Sequence, residues 1–182
     1  MNVKNVSAIE IFNLIMISNH IAIIHNNNIL IHISLAIIVC LCFGNSLHGD
    51  FVFDDTEALV QNADIQNSIP LLQIFQHDFW GNNITDKASH KSYRPLTVLL
   101  YRFILNLQIL FEKSNQPRPV YYHAANLIFY YLVCVQLYKA LCSFLVSPII
   151  NYSKHKSIQI ACWTTLLFAS HPIHCEAVIN YF

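Results

Sequence analysis

The chain alternates between long apolar runs and polar stretches, and the apolar runs have the length of membrane-crossing helices. Residues 29–47 contain no Asp, Glu, Lys or Arg over about 19 positions, the length that a spanning helix needs. Residues 121–146 form a second run, with Lys139 near its end, where a lysine can extend to the membrane surface. A third run begins at Ile158 and extends towards Phe182. This pattern predicts an all-α polytopic membrane protein.

The first run allows a second interpretation, namely the apolar core of a signal peptide. It lies far from Met1, however, and has neither a strongly basic leader nor a small-residue cleavage site. We therefore expect a retained span, preceded by a cytoplasmic segment over residues 1–28.

The polar stretch 48–120 contains one further apolar segment, residues 95–111. Because this segment carries Arg102 and Asn106, we expect a helix on the membrane surface and not a span. The short loop 147–157 contains two lysines, which predicts a cytoplasmic position by the positive-inside rule. Residues 48–120 and the end of the segment 158–182 would then share the opposite, lumenal side.

The composition supports a membrane protein and excludes some functions. Only 11% of the residues are charged and 55% are hydrophobic, against roughly 25% charged in soluble domains. The formal net charge is zero, so nothing in it indicates a nucleic-acid partner. All six cysteines lie in or beside apolar runs, which argues against a disulfide scaffold.

Five short motifs occur in order along the chain: GDFVFDD, FQHDFWG, SHKSYRPLTVLLYR, YYHAANLIFYYLV and FASHPIHCEAV. Together they resemble the amino-terminal membrane region of the transmembrane and tetratricopeptide-repeat-containing family. Members of that family are multi-pass proteins of the endoplasmic reticulum membrane and are similar to the C-type glycosyltransferases. The resemblance implies transfer of mannose from dolichyl-phosphate mannose, a membrane lipid donor, to Ser or Thr of protein acceptors, cadherin-like ones in particular.

The chain departs from that family because no tetratricopeptide repeat, with its period of about 34 residues, is present. We therefore expect a truncated piece of a longer protein. A non-catalytic membrane adaptor, or an anchor for a repeat domain, is the alternative function. A transporter fits less well, because the predicted spans hold few ionisable residues.

The resemblance assigns Asp54 as the catalytic base and Asp55 as its support, or as an occasional metal contact. The acceptor hydroxyl must lose its proton as it attacks the anomeric carbon, and a carboxylate within hydrogen-bond reach can accept that proton. Both residues follow the first span closely, where a lipid head group would lie. The alternative is that these acids cap a helix that begins near Thr56.

A basic cluster follows in the SHKSYRPLT motif. His90, Lys91 and Arg94 are candidates for binding the donor phosphate, because Arg binds phosphate through two hydrogen bonds and Lys as a point charge. Their alternative role is an anchor on anionic lipid. Phe79 and Trp80 fit the interfacial aromatic belt, and sugar stacking is the second interpretation.

The family match also favours His171, His174 and Glu176 as lining of the lumenal site, opposite the acidic pair. His123 and Asn126 share a helical face and could reach the same cavity, or could instead form a polar contact between helices. The histidines do not form an H-E-x-x-H motif and lack an evident third ligand. We assign no metal residue, although a divalent metal stays open.

The lumenal placement of the large loop has a consequence for one sequon. Asn83 begins the sequence Asn-Ile-Thr, an acceptor for N-glycosylation. We therefore expect a glycan on Asn83.

Overall fold

The computed structural model describes residues 28–52, 54–147, 150, 152–175 and 178 of the chain. The α-helices in this part are α1 (Asn28–Phe43), α2 (Pro95–Glu112), α3 (Pro119–Leu145) and α4 (Lys154–Ala169). Short helical turns and loops connect them, and the described residues contain no strand beyond an isolated bridge between His77 and Asn83. The prediction of an all-α membrane protein is confirmed.

Within the described residues, three helices are long and apolar enough to cross a membrane. The first is α1 with its 3-10 continuation (Gly44–His48), and the others are α2 and α3. The predicted runs 29–47 and 121–146 therefore coincide with helices to within a few residues. The surface position of α2 remains a prediction, because length and composition alone also permit a span.

The third apolar run differs in its bounds from the prediction. The helix α4 begins at Lys154, four residues before the predicted start, and ends at Ala169. Ser153 in extended conformation precedes it, and lysine is a good helix former, so the two lysines of the loop lie in the first turn. The predicted cytoplasmic segment 1–28 lies outside the described residues except for its last position, as do Glu176 and residues 179–182.

The chain divides into two compact units. One comprises residues 1–41 and 130–171, and the other comprises residues 42–129 and 172–182. We call them the helical unit and the loop unit.

The helical unit combines apolar helix faces with a few polar contacts. The hydroxyl of Tyr130 donates to the carbonyls of Phe168 and Ala169, at 3.1 and 3.3 Å. His32 Nδ1 lies 3.2 Å from the hydroxyl of Tyr131. The buried side of α4 is a row of small residues spaced four apart, Ser157, Ala161, Thr165 and Ala169. Small residues let helices approach closely, which is typical of packing within membranes.

The loop unit has a core in which α2 and the start of α3 meet the turns of the polar stretch. Its buried members are Ala58, Leu59, Ile65, Ile74, Phe79, Val98, Tyr101, Ile104, Leu105 and Tyr122. Five of these belong to the polar stretch that precedes α2, so the stretch is folded and not an open linker. Proline at the first position starts α2, and Lys113 in left-handed conformation (φ 54°) ends it.

The buried side chain of Arg102 attaches the polar stretch to α2. Arg102 is 8% exposed, and its guanidinium donates to Asn67 Oδ1 at 2.6 Å and to the backbone carbonyls of Asp64 and Ile69 at 3.2 and 2.7 Å. Buried carbonyls need donors, and the short helical turns of this stretch pair only part of its backbone. Arg102 therefore replaces backbone pairing with side-chain bonds.

Asp78 plays the complementary role, because its carboxylate accepts hydrogen bonds from backbone amides. This residue is 1% exposed. Its carboxylate accepts the amides of Trp80 and Asn82, both at 3.0 Å, and the hydroxyl of Ser89 at 2.6 Å. Burial alone raises the pKa of Asp78, but these hydrogen bonds, with one from the amide of His90, hold the pKa below its ordinary value of 3.8. The charged form is therefore the native one.

We expect Asp78→Asn to destabilise the loop unit by roughly 1–3 kcal/mol, because an amide cannot accept all of these bonds. The lowered pKa fixes the pH dependence: the stabilisation is complete above about pH 4 and is lost as the pH falls through the lowered pKa. Thermal unfolding in detergent at several pH values measures this, with the exposed Asp86→Asn as control. A stability difference that persists unchanged in strong acid would contradict the assignment.

Candidate active site

A polar cleft of about 710 Å³ opens in the loop unit. Its lining residues are Asp54, Glu57, Gln61, Trp80, Asn82, Ala88 and His90. They come from two segments of the polar stretch, the turn after the first apolar helix and the loop that carries the Phe-Trp-Gly motif. The cleft thus brings two carboxylates, two amides, one indole and one imidazole together.

The two acids of the acidic pair point in different directions. Asp54 is exposed and lines the cleft, whereas Asp55 is 1% exposed. Asp55 accepts the amide of Val52 at 3.1 Å and interacts electrostatically with Tyr101 and His123. Asp55 occupies the position before the turn Thr56–Val60 but forms no capping hydrogen bond with it. The capping interpretation is therefore not supported for Asp55.

A row of aromatic rings connects the acidic pair with the cleft. Phe51 packs edge-on against Tyr122, Tyr122 against Tyr101 and Tyr101 against Phe79, with centroid distances of 5.7, 5.9 and 6.2 Å. Phe79 then meets Trp80 at 5.1 Å and 85°. Such edge-to-face contacts are favourable and directional. The indole of Trp80 is consequently held by the protein core.

The predicted basic cluster separates into three environments. His90 lines the cleft, and its ring lies 5.1 Å from that of Trp80. The ammonium of Lys91 donates to the backbone carbonyls of Ile84 and Asp86. The guanidinium of Arg94 lies over the ring of Phe79, 5.2 Å from its centroid. Neither Lys91 nor Arg94 belongs to the cleft wall.

The predicted histidine lining does not reach the cleft either. His123 is buried in the first turns of α3 and lies close to Gly49, where an added Cβ would be 3.6 Å from Nε2. Asn126 donates to the carbonyl of Val178 at 3.3 Å, a polar contact between segments. His171 and His174 stand in and beside a 3-10 turn (Pro172–His174), so they do not share the face of an α-helix.

No group of three or more potential metal ligands occurs within the described ranges. The sequon at Asn83 is exposed, and Thr85 donates to Asn83 Oδ1 through its amide at 3.0 Å and its hydroxyl at 2.7 Å. The sequon thus sits in a tight turn at the surface.

Four cleft residues have no role in the sequence-based site, namely Glu57, Gln61, Asn82 and Ala88. Glu57 could have been found from spacing, because it follows Asp54 by three positions and shares a helical face with it. Asn82 could not, because only the folded loop places it beside the acidic turn. Gly81, its neighbour, adopts φ 86°, which favours glycine.

Comparison with known proteins identifies clear relatives. The chain is 44% identical to human Protein O-mannosyl-transferase TMTC3 over 141 residues, which are 78% of the chain and 13% of the relative. It is 39% identical to mouse Protein O-mannosyl-transferase TMTC4 over 142 residues (76% and 18%). It is 41% identical to Protein O-mannosyl-transferase F38B6.6 of Caenorhabditis elegans over 154 residues (84% and 20%).

The chain thus spans at most about a fifth of the length of these relatives. Neither a protein-family model nor a solved structure matches it significantly.

We expect Gly81→Ala to distort the cleft. An added Cβ would lie 2.6 Å from Asn62 Oδ1, which accepts the amide of Asp64, and the left-handed backbone costs a further 1–2 kcal/mol or so. The variant should therefore unfold at a lower temperature and be cleaved faster by protease within the loop unit. Gly44→Ala is the matched control, since nothing lies within 4 Å of its added Cβ. Equal behaviour of the two variants would contradict this geometry.

Proposed function

Because this chain belongs to the TMTC family, we propose that it is part of a membrane enzyme that transfers mannose to Ser or Thr hydroxyls of proteins. The donor of such an enzyme is a lipid-linked mannose of the dolichyl-phosphate type, and its compartment is the endoplasmic reticulum. Cadherin-like proteins are the acceptors that the sequence resemblance suggests. The observation that carries the proposal is the exposed carboxylate of Asp54 in a polar cleft of a folded loop that directly follows a membrane-length helix.

We propose Asp54 as the general base of the transfer. Its carboxylate accepts the proton of the acceptor hydroxyl while the hydroxyl oxygen forms a bond to the anomeric carbon. The bond from that carbon to the phosphate oxygen breaks, and the lipid phosphate leaves with the electron pair. A single displacement of this kind inverts the anomeric configuration. An exposed carboxylate with no hydrogen bond from the described part of the loop is suited to this role.

Asp55 supports the base without touching the substrate in this proposal. Its carboxylate is buried and is engaged by the amide of Val52, which ties the acidic turn to the preceding segment. Its charge also faces Tyr101 on α2 and His123 on α3. We therefore propose that Asp55 fixes the orientation of the turn that presents Asp54, and that His123 belongs to this support.

For the donor phosphate we propose Arg94, with His90 on the side of the cleft. Arg94 precedes the first residue of α2, where the helix dipole favours an anion. The guanidinium of Arg94 stacks on the ring of Phe79, and arginine combines such stacking with recognition of phosphate. Lys91 is the weaker candidate, because its ammonium already donates to two carbonyls. His171, His174 and Glu176 remain candidates for contacts with the donor.

We also propose that the protein is multi-pass, with α1 and α3 as spans and α2 on the lumenal membrane surface. One side of α2 is buried in the loop unit, and the other side exposes apolar residues, namely Leu96, Phe103, Leu107, Leu110 and Phe111. A spanning α2 would carry Arg102 and the polar loop bound to it into hydrocarbon, which is costly. A surface helix keeps that loop in water. The sequon at Asn83 would then be lumenal.

In the full-length protein that contains this chain, Asp54→Ala should reduce mannose transfer by about 10²–10⁴-fold, because a methyl group cannot accept the proton. Alanine is used because asparagine at this position would create an Asn-Asp-Thr sequon. Expression and membrane insertion should be unchanged, since Asp54 is exposed. Transfer to an acceptor peptide in microsomes measures the effect, with Asp86→Ala as the matched exposed control. Parental activity of the Asp54 variant would exclude this residue as base.

The position of α2 can be tested with cysteines in sealed microsomes. We expect Asp86→Cys and Asn115→Cys, on either side of α2, to be shielded equally from a membrane-impermeant maleimide, and Ser153→Cys to be labelled. Each added thiol is counted as a gel shift over the parent, which carries its own six cysteines. Labelling of Asn115→Cys while Asp86→Cys stays shielded would show that α2 crosses the membrane, and Ser153→Cys would then be shielded, because α3 also crosses.

A further inference from the structure

The charges of the cleft argue against a phosphate inside it. Asp54 and Glu57 are both exposed to the cleft, and none of the described wall residues is Lys or Arg. Among these described residues, His90 alone can become a cation. Two carboxylates that line one cleft repel a phosphate within it. The donor phosphate is therefore better placed at Arg94, outside the wall, and the cleft itself is free for a different ligand.

The same wall fits a polypeptide segment. The side-chain amides of Gln61 and Asn82 can each donate and accept hydrogen bonds, which is what peptide groups require. Trp80 offers a flat apolar surface that Phe79 and His90 hold in place. Tryptophan is suited to such contacts because it buries a large area with little loss of conformational freedom.

The second carboxylate adds selectivity. Glu57 follows Asp54 by three positions on the same helical turn, so both side chains project from one face. Glu57 has no hydrogen-bond partner that would fix it, in the part of the chain that the structure describes. A carboxylate beside the base attracts a positively charged neighbour of the acceptor hydroxyl and repels a negatively charged one.

We infer that this cleft binds the acceptor polypeptide, that Trp80 packs against a side chain next to the acceptor Ser or Thr, and that Glu57 selects acceptors with a nearby Lys or Arg. This inference rests on the proposed mannosyl transfer with Asp54 as base. The acceptor and the donor then bind at two separate places: the acceptor in the cleft, and the donor at the amino end of α2.

The test uses the full-length protein in microsomes and three synthetic acceptor peptides that differ only in carrying Lys, Gln or Glu two residues from the Ser. We expect the parent to prefer the Lys peptide in kcat/KM. Glu57→Gln should reduce the Lys-to-Gln ratio by up to about fivefold, the upper limit for one exposed charge pair. Glu57→Lys should favour the Glu peptide. The control Glu112→Gln, at the far end of α2, should keep the parental ratio.

Trp80 is tested by the Michaelis constants of the two substrates. Trp80→Ala should raise KM for every acceptor peptide and leave KM for the lipid donor unchanged, whereas Trp80→Phe should recover most of the acceptor affinity. A rise in donor KM alone would overturn the inference and assign the ring to the sugar. An unchanged peptide preference in both Glu57 variants would overturn the role of Glu57.

These failures are distinguishable from failure of the proposed function. If Asp54→Ala is inactive while the Glu57 variants keep the parental preference, the enzyme assignment stands and the acceptor subsite is wrong. If Asp54→Ala transfers mannose at the parental rate, the base assignment itself is wrong, and the acceptor subsite falls with it.

Discussion

The loop unit depends on buried polar side chains that form hydrogen bonds with backbone amides and carbonyls. Its turns lie next to a hydrophobic core, yet they lack the regular structure that would satisfy their amides and carbonyls. Arg102 supplies donors to two carbonyls, and Asp78 supplies acceptors to two amides. Each is charged and each is buried. Arg102 joins α2 to residues 33–38 positions earlier, whereas Asp78 joins residues within its own loop.

The aromatic row gives this polar framework its rigidity. Rings from the segment before the acidic turn, from α3, from α2 and from the Phe-Trp-Gly loop meet in succession, so every element of the unit contributes one. A displacement of α2 would therefore shift Phe79 and, through it, Trp80. The position of the cleft is thereby coupled to the helix that we place on the membrane surface.

The sequence predicts the helices well, because apolar length and composition are local properties. It also selects Asp54 and His90, and these two do meet at the cleft. The opposite orientations of Asp54 and Asp55 could not be predicted, because they depend on a core assembled from distant residues. The engagement of Lys91 by backbone carbonyls has the same origin, since a folded turn brings Ile84 within its reach. From sequence spacing alone, neighbouring charged residues cannot be told apart. The fold distinguishes them, because it buries some of their side chains and exposes others.

The contacts of Arg102 also bear on how the protein is made. Its three partners precede it by 33, 35 and 38 residues, so the polar stretch leaves the ribosome well before the cation that completes its fold. During that interval the core of the loop unit is incomplete, so the turn that contains Asn83 cannot yet pack against it. An oligosaccharide-transferring enzyme would then meet the Asn-Ile-Thr sequon as an extended segment, before the bridge between His77 and Asn83 forms. The late arrival of α2 thus sets a window for modification during synthesis.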